Sequence, residues 1–155
     1  MNKNIKKFSM KTHYKDSDGH EYWKEYDENN NMIYYKTSEG YEEIYKYDSN
    51  SNEIYYKNSS GNEYWKEYDS DNNLIHFKRC DGFEGWYEYD SNGNEIYNEN
   101  SNGNKYWRKY DKNNNMIYHK DSDGFTCRYK YDKYGNEIYY KDSNGYEYWK
   151  EYSYE

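Results

Sequence analysis

The sequence lacks proline, alanine and valine altogether, and hydrophobic residues make up only 33% of its 155 positions. Its mean hydropathy of -1.77 is typical of disordered chains, which bury too little apolar surface to fold. The 27 tyrosines and five tryptophans argue against disorder, because each buried aromatic ring removes ~150–250 Å² from water. We therefore predict an ordered protein with a thin, aromatic core.

No long apolar run is present, so the sequence predicts neither a signal peptide nor a membrane span, and a cytoplasmic protein is expected. Residues 1–11 form a lysine-rich, basic lead-in, which we separate from a single domain over residues 12–155. Only two cysteines occur, Cys80 and Cys127, far apart and without a C-x-x-C motif. They predict neither a disulfide framework nor a zinc site.

Neither sign of charge dominates locally, since 30 acidic and 22 basic residues are interleaved and give a net charge of -8. A nucleic-acid-binding protein is more often basic, and a mimic of nucleic acid would carry a purer negative face. We therefore expect no direct nucleic-acid binding and no membrane partner. The charge balance mainly predicts solubility.

A Tyr-Asp pair recurs at a constant step of 21 residues, without insertion or deletion. A fixed short period is typical of repeat proteins, in which each repeat is one supersecondary element. The pairs are Tyr26-Asp27, Tyr47-Asp48, Tyr68-Asp69, Tyr89-Asp90, Tyr110-Asp111 and Tyr131-Asp132, and Tyr152-Ser153 is a seventh, altered copy.

Each repeat contains two turn clusters, one after the Tyr-Asp pair and one that ends in glycine. The fourth residue of the first cluster is Gly or Asn in every copy except Ser51, as the left-handed backbone of a bulged type I turn requires. Short runs rich in Tyr, Ile and Trp separate the turns and favour strands over helices. The predicted fold is all-β: an antiparallel meander of about seven 21-residue β-hairpin repeats that forms one twisted, coiling sheet.

The turn lengths predict which side chains share a face of the sheet. A four-residue turn at residues 58–61 would pair Ile54 with Trp65, and likewise Ile96 with Trp107. One face then carries the Ile and Trp rows, and the other carries a layer of Tyr with Lys between the rings. We expect the sheet to coil and bury the Ile/Trp face; the alternative is that this face stays open for a binding partner or a dimer.

At its Tyr-Asp pairs the sequence resembles the YD, or RHS-type, repeats of bacterial surface and toxin-shell proteins. The Tyr-Asp-x-x-Gly pattern is present at Tyr89-Asp90 with Gly93, and the resemblance covers roughly residues 12–155. It implies a hairpin architecture. It does not imply encapsulation, because the array is much shorter than those shells and asparagine (Asn94, Asn136) replaces the usual arginine. In size and composition the chain also resembles, more loosely, bacterial anti-CRISPR inhibitors.

No motif predicts catalysis, a cofactor or a metal site. The Asp-x-Asn-Gly-Asn turns resemble fragments of calcium loops, but the twelfth position counted from Asp90 is Ser101, where an EF-hand needs an acid. The four histidines are scattered, and neither cysteine has an identifiable His or Asp partner. Carboxylates are abundant, but abundance does not identify an acid–base pair. We therefore predict that the protein is not an enzyme.

Breaks in the repeat are the best functional pointers, because packing alone would keep the consensus; the alternative is drift in a decaying array. Gly85 stands where other repeats have tyrosine, and Arg128 replaces a tryptophan. The predicted partner-binding residues lie in these central repeats and include the aromatic and arginine types common in interface hot spots. They are Arg79, Phe83, Trp86, Asn98, Glu99, Trp107, Phe125 and Arg128.

These observations favour a non-enzymatic protein that binds another protein through aromatic and charged side chains. The most concrete version is a phage or mobile-element inhibitor that occludes a host defence nuclease such as a CRISPR effector, whose basic cleft would attract an acidic partner. The alternative is a YD-repeat module that binds a carbohydrate or a cell surface. A homodimer is compatible with either hypothesis.

Overall fold

A computed structural model describes residues 9–154, in which the chain forms fourteen β-strands. Successive strands are antiparallel neighbours in chain order, so the predicted all-β meander of hairpin repeats is confirmed. Most of the predicted basic lead-in lies outside the described residues. The strands are β1 (Met10–Lys15), β2 (Glu21–Tyr26), β3 (Met32–Thr37), β4 (Glu42–Tyr47), β5 (Glu53–Asn58), β6 (Glu63–Tyr68), β7 (Leu74–Arg79), β8 (Glu84–Tyr89), β9 (Glu95–Asn100), β10 (Lys105–Tyr110), β11 (Met116–Asp121), β12 (Thr126–Tyr131), β13 (Glu137–Asp142) and β14 (Glu147–Trp149).

The described chain divides into two compact units. The first unit is built from the chain up to residue 72 together with Phe77–Gly82, and the second from Asn73–His76 together with the chain from Phe83 onwards. The prediction of a single domain over residues 12–155 stays a prediction. Within residues 9–154 no helix has the length and the apolar character needed to cross a membrane.

Both turns of a repeat have the same hydrogen-bond pattern. After the Tyr-Asp pair, the Asp90 N–H donates to the Asn94 carbonyl at 2.9 Å and the Gly93 N–H donates to the Asp90 carbonyl at 3.0 Å. The glycine-ending turn repeats this pattern, with Asn58 N–H to Asn62 at 2.9 Å. Each is a three-residue loop in which a type I turn is followed by a left-handed residue. The predicted four-residue turn is therefore wrong.

A β-bulge follows every described Tyr-Asp turn outside β6 and β7. Tyr89 pairs with Glu95, as the predicted turn length implied, but Glu88 pairs with Tyr97, so Ile96 is an extra residue without an opposite partner. The same register shift occurs between β2 and β3, β4 and β5, β10 and β11, and β12 and β13. Because side chains alternate along a strand, a repeat with an odd period needs one phase change. The bulge at the isoleucine supplies it.

The bulge and the shorter turn correct the predicted faces. Trp65 pairs with Tyr55 rather than Ile54, and Trp107 pairs with Tyr97 rather than Ile96. Tyr56 pairs with Tyr64 on the other side of the sheet. We call the side with the tryptophan row the Trp face and the opposite side the Tyr face. The row consists of Trp23, Ile44 and Trp65 in the first unit and Trp86, Trp107, Arg128 and Trp149 in the second.

The aspartate of each Tyr-Asp turn binds the turn that it begins. Asp90 Oδ1 accepts the backbone N–H groups of Asn92 and Asn94 at 2.9 and 3.0 Å, and Oδ2 accepts the Asn94 side-chain amide at 3.0 Å. The same amide also donates to Asn114 in the next Tyr-Asp turn, at 2.9 Å. Such side-chain bonds link the Tyr-Asp turns that begin at Asp27, Asp48 and Asp69 in the first unit and those that begin at Asp90 and Asp111 in the second.

The glycine-ending turns are linked by a serine in a reciprocal pair of bonds. The Ser59 N–H donates to the Glu42 carbonyl at 2.9 Å, and the Glu42 N–H donates to Ser59 Oγ at 3.1 Å. Cys80 occupies the equivalent position, and its N–H donates to the Glu63 carbonyl at 2.9 Å. Cys80 therefore takes the place of serine in this turn.

Ser51 adopts the left-handed backbone that the sequence predicted for its position. Its φ is +66°, close to the +66° of Asn72 in the next turn. We expect Ser51→Asn to stabilise the protein by about 1 kcal/mol, because asparagine tolerates the left-handed conformation better than serine. The Asn31 side-chain amide donates to Ser51 Oγ at 3.0 Å, and the asparagine side-chain oxygen can accept the same hydrogen bond. Chemical denaturation measures the change. Ser49→Asn, outside the left-handed region of the same turn, is the control; equal effects of the two substitutions would contradict the explanation.

The Tyr face has a period of two repeats, or 42 residues. Tyrosine occupies the second position of β2, β6, β10 and β14, and a basic residue then occupies the fourth position, as in Tyr64 and Lys66. In β4, β8 and β12 the second position is Glu43, Gly85 or Cys127 and the fourth position is tyrosine. The tyrosine ring therefore alternates between the second and the fourth strand position, so that large side chains of successive hairpins do not occupy the same space.

The first residue of the preceding strand alternates with the same period of two repeats. Glu53 accepts hydrogen bonds from both Tyr64 Oη and Lys66 Nζ at 2.9 Å. Glu95 and Glu137 stand at the same position before β10 and β14, whereas Met32, Leu74 and Met116 precede the strands that lack the basic residue. The Gly85 and Cys127 breaks therefore belong to the packing of the Tyr face, and drift does not explain them.

The core is thin, as the composition predicted. Cys127, 3% exposed, is the one hydrophobic side chain in the described chain that counts as buried, and the Tyr-face rings are half-buried. Neighbouring rings also contact each other directly. Tyr56 stacks on Tyr64 with ring centroids 4.9 Å apart, and Tyr129 contacts Tyr140 edge-on with centroids 5.2 Å apart. Stability therefore depends on many ring contacts and hydrogen bonds more than on a central apolar core.

Candidate binding face

The Trp face is open in the described structure. Trp65, Trp86 and Trp107 are 38%, 41% and 36% exposed, and Trp149 is 69% exposed. The expectation that coiling buries these tryptophans is wrong, and the alternative of an open face fits the exposure. The reason is the corrected register, which places tyrosine and lysine, rather than the isoleucine row, opposite the tryptophans.

Each tryptophan is one member of a mixed row that crosses the strands. In the first unit Lys46 opposes Tyr55, which in turn opposes Trp65. The Tyr55 and Trp65 rings are 5.7 Å apart, and Lys46 Nζ lies 4.9 Å from the Tyr55 ring. Tyr55 Oη donates to Glu63 at 2.6 Å, and this bond is the largest cause of the raised pKa of Tyr55. The ring positions on this face are therefore fixed by neighbours on both sides.

The second unit repeats the arrangement around Trp107. Its ring lies 5.5 Å from Tyr97, and Lys120 Nζ is 5.3 Å from the Trp107 ring centre. Tyr97 Oη donates to Glu99 at 2.6 Å, and this bond, followed by the Lys105 bond, lowers the pKa of the Glu99 carboxyl. A shallow groove beside the tryptophan is lined by Glu88, Ile96, Tyr97, Trp107 and Lys109. Such a surface offers flat apolar rings with charged groups at their edges.

Four of the predicted partner-binding residues share the Trp face of the second unit. Trp86 pairs with Glu99, and Trp107 lies two strands from each of Trp86 and Arg128 on the same face. Arg128 is exposed, and its guanidinium lies 6.0 Å from the Tyr118 ring. The structure therefore brings Trp86, Glu99, Trp107 and Arg128 together, and their role in binding stays a prediction.

The other four predicted residues do not join this group. Asn98 pairs with Tyr87 and Tyr106 and so lies on the Tyr face. Arg79 belongs to the first unit, where it forms a 2.6 Å ion pair with Asp81. The half-buried Phe83 and Phe125 lie at turn ends, next to the first residues of β8 and β12. Sequence reasoning missed the tyrosines opposite the tryptophans, because the predicted glycine-ending turn was one residue too long.

The Tyr face contains a phenol–carboxylate cluster around Glu43. Tyr41, Tyr45 and Tyr56 donate to the Glu43 carboxylate at 2.8, 2.7 and 3.0 Å. Burial raises the pKa of Glu43, but these three hydrogen bonds outweigh it and hold the pKa below its usual range. Burial, followed by the bond to Glu43, raises the pKa of Tyr45. An ionised carboxylate fully occupied by phenols is suited to packing rather than to proton transfer.

In the described chain, one group of three residues of the types that bind metal ions lies at the turn after β1. Ligand atoms of Asp16, Asp18 and His20 lie within 4.8 Å of one another. Asp16 Oδ1, however, accepts the backbone N–H groups of Asp18 and His20 at 2.9 and 3.0 Å, as the Tyr-Asp aspartates do in their turns. Turn chemistry accounts for this arrangement.

The second cysteine lies within the packing of the Tyr face. Cys127 is buried, and its Sγ donates to Tyr129 Oη at 3.1 Å. Burial is the largest cause of the raised pKa of Tyr129. Reactive thiols have a positive neighbour, whereas this thiol contacts a neutral phenol. Its environment is that of a small core residue.

The fold has counterparts among solved structures. The crystal structure of TcdB2-TccC3-Cdc42 matches with a TM-score of 0.64 at 15% identity, and that of TcdB2-TccC3-TEV with a TM-score of 0.65 at 16% identity. Each match covers 91% of this chain but only 10% of the other, so the chain spans about a tenth of the length of these proteins. TcdB2-TccC3 is an RHS/YD-repeat toxin complex, and the match supports the YD-repeat resemblance at the level of fold.

Sequence comparison gives no further assignment. No family model matches the sequence, and no curated protein matches it. The looser resemblance to anti-CRISPR inhibitors receives no support from the structural matches. The conclusion at this level is a YD-repeat fold with an open aromatic face.

Proposed function

We propose that the chain is a non-catalytic, YD-repeat surface-binding module whose Trp face binds carbohydrate. The observation that carries the proposal is the exposure of tryptophans on the Trp face of each unit: Trp65 in the first unit and Trp86, Trp107 and Trp149 in the second are each at least one-third exposed. Sugar rings present apolar C–H faces that stack on flat aromatic side chains, and hydroxyl groups that hydrogen-bond at the ring edges. The lysines, glutamates and phenols beside each tryptophan would supply those hydrogen bonds.

The spacing of the row also suits a polysaccharide. Trp86 is opposite Glu99, which is opposite Lys105, two residues before Trp107, so the two tryptophans are separated by ~9.6 Å across the strands and by ~6.8 Å along them. A glycan chain that crosses the strands obliquely could therefore stack different sugars on successive tryptophans. Trp86 and Trp107 are two such neighbours within the second unit.

A second candidate is a protein-binding surface on the same face. Trp, Tyr and Arg are the residues most enriched in interface hot spots, and all three are exposed or half-exposed here. Occlusion of a basic nuclease cleft, the more specific version, is disfavoured by charge. The Trp face around Arg128 is itself basic, so a basic cleft would repel it.

Substitution of the tryptophans tests the carbohydrate proposal. We expect Trp107→Ala and Trp86→Ala each to weaken binding to a retained polysaccharide by about tenfold, the effect typical of a stacked interface ring. Affinity electrophoresis against a panel of neutral and acidic polysaccharides measures the change. All five tryptophans belong to the Trp-face row, so ligand binding should also shift the intrinsic tryptophan fluorescence.

The matched control is Tyr146→Ala. Tyr146 is 61% exposed and contacts Tyr140 and Tyr148 on the Tyr face. It removes an exposed ring from the opposite side of the sheet and should leave binding unchanged. Retention of full affinity by both tryptophan variants, or an equal loss in the control, would disprove the assignment of the Trp face. If the protein binds no polysaccharide but retains a protein partner through the same tryptophans, the second candidate replaces the first.

A further inference from the structure

The charge of the Trp face changes along the second unit. In the described strands β10 to β13 this face carries six basic side chains and no carboxylate: Lys105, Lys109, Lys120, Arg128, Lys130 and Lys141. We call this set the basic patch. Its concentration is unexpected in a chain with a net charge of -8.

The patch arises from substitutions at two positions of the repeat. The first position of β2, β4, β6, β8 and β14 is glutamate, but β10 begins with Lys105 and β12 with Thr126. The fifth position is glutamate in β2, β6 and β8, but Lys109 in β10 and Lys130 in β12. Arg128 adds a cation where the other strands of this type have Trp or Ile. In the first unit, by contrast, lysines and glutamates of the Trp face are mixed.

Four cations of the patch have no carboxylate partner among the described residues: Lys109, Lys120, Arg128 and Lys130. They lie over aromatic rings instead. Lys109 and Arg128 are 5.8 and 6.0 Å from the Tyr118 ring, and Lys130 is 4.9 Å from the Tyr139 ring. Cation–π contacts hold these charges in place without neutralising them, so they remain available to an anion.

The outer lysines mark the limits of the patch. Lys105 is paired with Glu99 at 2.9 Å, and Lys141 with Glu147 at 3.3 Å. Between them, Lys109 opposes Tyr118, Tyr118 opposes Arg128, and Arg128 opposes Lys141. The unpaired charges therefore form a strip three strands wide, from β10 to β12, with neighbouring cations ~5–10 Å apart.

We propose that the basic patch binds the anionic groups of an acidic polysaccharide. This inference rests on the proposed function and names its ligand class: sugars stack on Trp107 while carboxylate or sulfate groups bind Lys109, Lys120, Arg128 and Lys130. The groove lined by Ile117, Arg128, Lys130 and Tyr139 lies next to these cations and gives the chain a path along the patch. The cation spacing matches charges carried on adjacent or alternate sugars.

A single-stranded nucleic acid is the less favoured polyanion. The turns at both ends of these strands carry acids, among them Asp111, Asp121 and Asp132. They confine the positive surface to the strip, which suits a narrow glycan lying across the strands better than a backbone that needs a broad basic surface.

The test compares polymers that differ only in charge. Polygalacturonate is paired with its methyl-esterified form, and dextran sulfate with dextran. We expect the full chain to bind a charged polymer at least about tenfold more tightly than its neutral partner, with a difference that shrinks as salt is raised. Binding of polygalacturonate alone identifies carboxylate as the recognised group, and binding of dextran sulfate alone identifies sulfate.

The variant Lys109→Glu/Lys130→Glu reverses two charges of the basic patch and introduces a residue that other repeats already have at this position. Glutamate already occupies this position as Glu25, opposite Tyr34, and as Glu88, opposite Tyr97, so the fold should tolerate it. We expect the variant to lose about tenfold or more in affinity for the charged polymer while binding of the neutral polymer is retained. Lys112→Glu/Lys133→Glu makes the same charge change in two Tyr-Asp turns outside the patch; it is the control and should have little effect.

The outcomes separate this inference from the proposed function. Equal binding of charged and neutral polymers, unaltered in the double variant, overturns the basic patch as a site but keeps the Trp face as a carbohydrate surface. Failure to bind any polysaccharide overturns both. Tighter binding of an oligothymidylate, abolished by the double variant, would assign the patch to nucleic acid instead. A thermal unfolding curve like that of the parent protein shows that the variant is folded.

Discussion

Acidification is expected to destabilise the protein progressively, so that its thermal unfolding midpoint falls by several degrees or more between about pH 5 and about pH 2. One cause is the row of aspartates that begin the Tyr-Asp turns, and the lowered pKa values of Glu43 and Glu99 add to it. Hydrogen bonds from the turn lower the pKa of five of these aspartates: Asp27, Asp48, Asp90, Asp111 and Asp132. In Asp90 the Asn94 side-chain amide contributes most, followed by the Asn94 backbone N–H.

The direction follows from proton linkage. A carboxyl whose pKa is lower in the folded state binds its proton first in the unfolded state as the pH falls. Its contribution to stability is complete above the unfolded pKa and is lost as the pH drops through the folded pKa. For Asp132, burial raises the pKa, but bonds from Tyr154, Asn136 and Tyr134 outweigh it and give a value of about 2. The loss should therefore continue to the lower end of the range.

Circular dichroism melts at successive pH values measure this dependence. Asp90→Asn should weaken it, because the amide oxygen can still accept the backbone N–H groups but the group no longer titrates. Asp123→Asn is the control, since the Asp123 carboxylate accepts no hydrogen bond within the described chain. A midpoint that stays constant down to about pH 2, or an equal change in the two variants, would refute the role given to the turn aspartates.

Gly85→Tyr is expected to destabilise the protein by about 1–3 kcal/mol or more, although it restores the tyrosine found at the same position as Tyr64 and Tyr106. A Cβ at Gly85 would lie 2.9 Å from Tyr87 Oη, and the ring beyond it would need the space that Tyr87 occupies. Gly85→Ala should cost much less, because only the tip of Tyr87 has to move. Equilibrium denaturation gives the free energy of unfolding for each variant.

A second substitution can recover the loss. Tyr87→Lys combined with Gly85→Tyr reproduces the Tyr64 and Lys66 arrangement of the neighbouring hairpin, in which the ring and the basic residue exchange places. The double variant should therefore be more stable than Gly85→Tyr alone, and the double-mutant cycle should show a favourable coupling. Additive effects would mean that the 42-residue alternation is not a packing rule. Full recovery is not expected, because Leu74 rather than glutamate stands at the position of Glu53.

The residues that depart from the 21-residue repeat fall into two groups. Gly85 and Cys127 interrupt the 21-residue repeat but obey the 42-residue one, so they give no sign of a binding site. Arg128, Lys109 and Lys130 follow neither rule and lie together on an open face. The face of the sheet therefore separates departures that serve packing from departures that are candidates for binding, and the repeat consensus alone does not show this face.

The sequence by itself determined the fold class and the places of the turns. The 21-residue period, the aspartate that begins each Tyr-Asp turn and the left-handed fourth residue are local features, and turn chemistry depends only on neighbouring residues. Even Ser51, the exception to the pattern, has the predicted backbone. The row of tryptophans was also visible as a period.

Only the tertiary structure decided which residues face each other and whether the tryptophans are buried. Side chains alternate at every residue, so a glycine-ending turn one residue shorter than predicted is enough to replace Ile96 by Tyr97 opposite Trp107, and the bulge at Ile96 places Tyr97 opposite Glu88 as well. Nothing in the local sequence marks the bulge, because the isoleucine fits a regular strand equally well. The basic patch likewise exists only after folding, since its residues come from four strands and are separated along the chain by acidic turns.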